Sequence, residues 1–124
     1  MTQQTIIITA TIFGMLSVIF GAFGAHALKK KLTLDQLKNF ETGVKYQMYH
    51  AIVLLILGFN SAQVTSAIYW CFTIGILLFS FSIYGLVLSD AFGKKLRFLG
   101  PITPIGGLLL IVGWSLLLLH TFVN

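Results

Sequence analysis

Charge is scarce in this sequence. It has eight lysines and arginines and three acidic residues in 124 positions, or 9%. A soluble domain carries about 25% charged residues because its surface faces water. Eleven charges cannot coat a soluble globule of this size. The acidic residues are Asp35, Glu41 and Asp90, and none lies in the middle of an apolar run. That argues against a proton-coupled exporter, which needs a carboxylate at membrane depth, and leaves no carboxylate pair for acid–base catalysis. Cys71 is the single cysteine, so no intrachain disulfide can form; within an apolar run it reads as a small hydrophobe. The two prolines, Pro101 and Pro104, share one short stretch. No Ser/His/Asp arrangement and no phosphate-binding glycine loop is present. These absences exclude a water-soluble enzyme, a disordered tail and a disulfide-stapled secreted domain.

What is abundant is apolar. Hydrophobic residues make up 57% of the chain and the mean hydropathy is +0.95. Four apolar segments account for this, at about residues 6–28, 45–60, 66–89 and 105–122, and a helix of about 20 residues crosses the ~30 Å hydrocarbon core. The first segment carries no preceding Lys or Arg and is read as a retained span rather than a cleaved leader. Between the first two, Thr33 and Gln36 have capping-box spacing. Leu34, Leu37, Phe40, Val44 and Met48 then form an apolar stripe, which predicts a short amphipathic helix at about 33–43 lying on the cytoplasmic membrane surface, either ending before the second span or continuing into it. Gly100–Pro104 predicts a helix break before the last span. The expected fold is all-α: one integral membrane domain over residues 1–124, a four-helix up-down bundle.

The net charge of +5 does not indicate nucleic-acid binding, because the basic residues flank apolar spans and no basic face is interleaved with aromatics. Lys29, Lys30, Lys31, Lys38, Lys45, Lys94, Lys95 and Arg97 all fall in the two loops on one side of the expected bundle. The positive-inside rule then makes those loops cytoplasmic and both termini external, in a multi-pass protein of the bacterial cell membrane.

Several motifs carry a resemblance. They are Gly21-Ala22-Phe23-Gly24-Ala25-His26, Tyr46-Gln47-Met48-Tyr49-His50, Leu78-Phe79-Ser80-Phe81-Ser82-Ile83-Tyr84, and Pro104-Ile105-Gly106-Gly107 followed by Gly113-Trp114. The chain resembles the domain-of-unknown-function 423 family of small bacterial membrane proteins over nearly its whole length. The resemblance implies a four-helix membrane bundle and transfers no catalytic residue. Small mitochondrial membrane proteins look like relatives. Gly43 stands where the resemblance leads one to expect alanine, which predicts a loosened junction between the surface helix and the second span.

Two groups of residues stand out. Gly14, Ser17, Gly21 and Ala25 form a small-residue stripe on the first span, and Gly106 and Gly113 another on the last; both are expected to pack helices closely. His26, Tyr46, Gln47, His50, Tyr84 and Asp90 form a polar cluster expected near the cytoplasmic side. His26 and His50 come out at similar depth when each is counted from the nearest lysine. Asp90 is expected to pair with Lys94 or Lys95, or to orient His26, opposite which a weak repeat at an offset of about 64 residues places it. Tyr69, Trp70 and His120 read as interfacial anchors. Three functions are compatible with this inventory. The first is a non-catalytic accessory or assembly subunit docked on a larger membrane complex, such as a respiratory oxidase, or on itself. The second is a lipid-, quinone- or small-solute-binding or transport protein using the polar cluster. The third is a bis-histidine haem protein using His26 and His50. No metal site is expected, since zinc requires three or four ligands.

Overall fold

The computed structural model describes residues 2–123 and is all-α among them. Four long helices account for most of the described residues. Helix α1 spans Gln3–His26, and Thr2 caps it by accepting from the Thr5 amide. Helix α2 spans Leu34–Phe59 and opens with the capping box, the Thr33 hydroxyl accepting from the Gln36 amide and the Gln36 side chain accepting from the Thr33 amide. Helix α3 spans Ser66–Ala91; within it, α-helix Ser66–Ile76 passes through a π-helical segment, Leu77–Phe81, into α-helix Ser82–Ala91. Gly93, at φ +86°, then turns the chain out of α3, and a 3₁₀ turn at Arg97–Leu99 leads to α4, Ile102–Val123.

Contacts between residues fix the directions. Along the α1–α2 interface Gly58 meets Ile7, Gly21 meets Val44 and Gly24 meets Phe40, so the two helices run antiparallel. Gly75 meets Leu110 and Gly106 meets Phe79, so α3 and α4 do too. Tyr69 hydrogen-bonds Thr9, and Tyr84 meets Phe20 edge to face, so α1 and α3 run parallel. Two apolar clusters fill the interior. One surrounds Phe13, Leu54, Phe72 and Leu110. The other joins Leu28 and Leu32 of the first loop to Phe40, Ile83, Tyr84 and Val87.

Three helical segments are long and apolar enough to cross a bilayer: Gln3–His26, Ser66–Ala91 and Arg97–Val123. Helix α2 is not among them because its central turns carry Lys45, Tyr46, Gln47 and His50.

Several expectations need correction. Of the two forms open for residues 33–43, the structure has the continuous one: they are the cap and first turns of α2 rather than a separate surface helix. The apolar stripe faces protein as much as surroundings, for Phe40 is buried under Gly24 and Tyr84 while Leu34 is exposed. Gly43 loosens nothing. A Cβ there would lie 2.7 Å from the Tyr84 ring, so the missing side chain is what admits that ring. Pro104 sits inside the first turn of α4, where its missing N–H would have had no helical acceptor. Tyr69 is buried and bonded to Thr9.

The small-residue stripes divide. A Cβ on Gly106 would come within 2.3 Å of the Phe79 backbone nitrogen, and one on Gly113 within 3.0 Å of the Phe72 ring. Ser17 is buried and bonds back to Phe13. Gly21 makes only ordinary contact with Val44, Gly14 has nothing within 4 Å, and Ala25 is exposed. The close approaches on the first pair come instead at Gly24 and Gly58.

Gly106→Val is therefore expected to cost at least about 2 kcal/mol, because the obstacle is backbone and cannot swing away. Gly14→Val should stay within about 1 kcal/mol of wild type, in line with the ~0.5–1 kcal/mol helix-propensity difference expected at an open position. Unfolding of both variants in mixed micelles checks the contrast.

Candidate functional site

The polar cluster expected from the sequence separates into an inner network and an outer groove. Gln47 anchors the inner one. It is fully buried. Its Nε2 donates to the Phe13 carbonyl of α1 at 2.8 Å, and its Oε1 accepts from the Tyr84 hydroxyl of α3 at 2.7 Å. One turn away, the Ser80 hydroxyl donates to the Gly43 carbonyl at 2.7 Å. Phe20, Phe40 and Phe81 close around the Tyr84 ring at centroid distances of 5.1, 5.0 and 5.5 Å. Gln47 and Tyr84 are thus satisfied inside protein, and their arrangement joins three helices.

His50 faces the other way, toward α4. The indole Nε1–H of Trp114 donates to His50 Nε2 at 3.1 Å. Indole nitrogen is donor only, so Nε2 is the accepting nitrogen. The ring proton is then assigned to Nδ1, which donates to the Tyr46 carbonyl at 2.6 Å. Both ring nitrogens of a neutral imidazole are engaged. The Tyr46 ring packs at a tilt against Phe79 with ring centroids 5.1 Å apart.

These residues line a groove. Helices α2 and α4 rest on either side of α3 with their backbones apart. Between them lies an opening of about 620 Å³ bounded by Thr42, Tyr46, His50, Phe79, Leu110 and Trp114. It shares Thr42 and Pro104 with a second opening of about 360 Å³, which also touches Thr103 and Asn39. That one shares Asn39, Leu86, Val87 and Gly100 with a third, of about 400 Å³, reaching Gln36, Asp90, Lys95 and Arg97. The three form one lateral groove whose lining passes from charged to apolar.

Asp90 does not orient His26. Its Oδ2 accepts from Gln36 Nε2 at 2.9 Å, and no ion pair with Lys94 or Lys95 is present among the described residues. His26 is exposed at the end of α1. The α1–α2 register sets it level with about position 39, eleven residues from His50 or ~16 Å along the axis. Counting from Lys45 misplaced His50, because α2 runs on past that lysine alongside α1. With that separation, and with both His50 nitrogens engaged, the two histidines do not form a bis-histidine haem site.

Trp114, Gln36, Thr42 and Arg97 belong to the groove although sequence reasoning did not select them. The Gly113-Trp114 motif was the available signal for the first: Gly113 lets Trp114's turn of α4 settle on Phe72.

The model of a family described as "Protein of unknown function (DUF423)" matches residues 20–107. The chain belongs to the DUF423 family. Its relatives include UPF0382 membrane proteins of three staphylococci. That of Staphylococcus haemolyticus is 42% identical over 123 residues, covering 97% of each chain. That of Staphylococcus aureus is 41% identical, again with 97% of each covered. That of Staphylococcus saprophyticus is 40% identical, covering 97% of this chain and 98% of the relative. No solved structure matches. With the three apolar spans, this makes the DUF423 chain a membrane protein.

In this DUF423 protein Gln47→Leu is expected to cost about 1–2 kcal/mol, since it orphans the Tyr84 hydroxyl and removes a bond to α1. Tyr84→Phe in the same background should cost less than it does alone, because the orphan goes with it. A double-mutant cycle of unfolding free energies checks the coupling.

Proposed function

We propose that this DUF423 protein is a non-catalytic protein of the bacterial cell membrane that crosses the bilayer four times and holds an amphiphilic molecule, of the lipid or quinone type, in the groove between α2 and α4. The groove carries this reading: three adjoining lateral openings, polar at one end and apolar at the other, face the surroundings of a membrane protein. Membrane crossing by α2 is supported by where its polar groups go, since Gln47 and His50 are bonded within the protein and need no water. Successive antiparallel helices make an up-down bundle, and the basic loops at one end make that end cytoplasmic, with both termini outside.

A second reading is an accessory subunit docked on a larger membrane complex, with a respiratory oxidase as candidate. It draws on Gly14, which has open space where a side chain would stand on α1. Small residues let a partner helix approach closely in lipid. Recovery of the same partner in several mild detergents favours it; a lone chain in all of them counts against it.

Gly107 offers a clean test of the groove. It lines the apolar end, and a Cβ there would meet only the Phe79 ring at 3.5 Å, an ordinary contact. Gly107→Leu is expected to fill the groove while leaving the fold intact. Native mass spectrometry from mild detergent should show amphiphile adducts on wild type, reduced several-fold in the variant. Equal adducts on both would refute the reading.

A further inference from the structure

Resting on the groove reading above, we infer that its occupant is an anionic glycerophospholipid of the cytoplasmic leaflet, with its headgroup at Lys95 and Arg97 and one acyl chain laid along α4 toward the His50–Trp114 pair. Polarity along the groove supports this order. The end at Lys95 and Arg97 is charged, Thr42 and Thr103 border the middle, and Phe79, Leu110 and Ile111 wall the far end. Length agrees. From Gly100 to Trp114 the wall formed by α4 and its lead-in rises about 21 Å, while one leaflet's share of the ~30 Å core is about 15 Å. A headgroup at the loop therefore leaves room for a full chain.

Charge selects the headgroup class. Asp90 is in the same lining but is engaged by the Gln36 amide. Lys95 and Arg97 have no carboxylate partner among the described residues, so two cations face one anion at that end. Arginine offers a planar fork of donors suited to a phosphate. At the far end the His50 ring and the Trp114 indole engage their nitrogens with each other. His50 is buried, and the half-exposed Trp114 presents ring surface, which suits methylene chains better than the carbonyl of a quinone.

Trp114 can report its own occupant. It lines the groove, is 47% exposed, and with Trp70→Phe becomes the single tryptophan. The protein is reconstituted in phosphatidylcholine vesicles containing the same low fraction of acyl-brominated phosphatidylglycerol or acyl-brominated phosphatidylcholine. Bromine quenches indole fluorescence on contact. The brominated anionic lipid should quench Trp114 several-fold more than the neutral one. Lys95→Gln with Arg97→Gln should abolish that preference. Lys29→Gln with Lys30→Gln, which removes equal charge elsewhere on the same end, should leave it in place. Equal quenching by the two lipids in the parent protein overturns the anionic assignment and leaves the groove reading standing. So does a preference that survives loss of Lys95 and Arg97, or that falls equally with Lys29 and Lys30. If preferential quenching is unchanged by Gly107→Leu, the site is elsewhere and both readings fail.

Discussion

Gln47 ties three helices together through the two ends of one amide. Inside a bilayer apolar faces gain nothing by leaving lipid for one another, so helix association rests on close packing and on hydrogen bonds between helices. A single glutamine that donates to α1 and accepts from α3 fixes both the spacing and the rotation of α2. Its surroundings are arranged around that demand. Gly43 stands aside for the Tyr84 ring, and three phenylalanines pack around that ring, whose hydroxyl donates to Gln47. A polar group with so little water near it is tolerated only when all its partners are present.

The fourth helix is held differently. Gly106 brings α4 against the backbone of α3 at Phe79, inside the π-helical segment. The extra residue in that turn shifts which side chains of α3 point to each neighbour. Ser80 reaches the Gly43 carbonyl on α2 while Phe79 meets α4 and Tyr46. Such segments recur where a helix serves two partners or a function. Because α4 is seated on α3 rather than between α1 and α2, the bundle stays open on one side, and the groove is the consequence. His50 and Trp114 bridge it at one level without closing it.

Much of the architecture was legible in hydropathy alone, because spans in lipid must be apolar and long. The Thr33–Gln36 cap, the all-α class and Gly106 and Gly113 as contact points all followed from local pattern. What was not legible was register. Depth counted from Lys45 placed His26 beside His50, but α2 continues as a helix beyond that lysine, and only pairing with α1 reveals the offset. The split of the polar cluster was hidden for a related reason. Gln47 and His50 are three residues apart, close enough on a helix for a shared face, yet one hydrogen-bonds α1 and α3 and the other α4. Which face meets which helix depends on contacts between distant segments, and glycine counts do not distinguish Gly24, pressed on Phe40, from Gly14, pressed on nothing.

Everything about the groove depends on α2 crossing the membrane despite its polar centre. In a Cys71→Ser background, single cysteines replacing Leu34 and Ser61 sit at exposed positions at the two ends of that helix. Labelling with a membrane-impermeant maleimide on intact cells and on inverted vesicles measures the side of each. The position-61 cysteine is expected to react only from outside and the position-34 cysteine only from the cytoplasmic side. Reaction of both from one side would contradict the account.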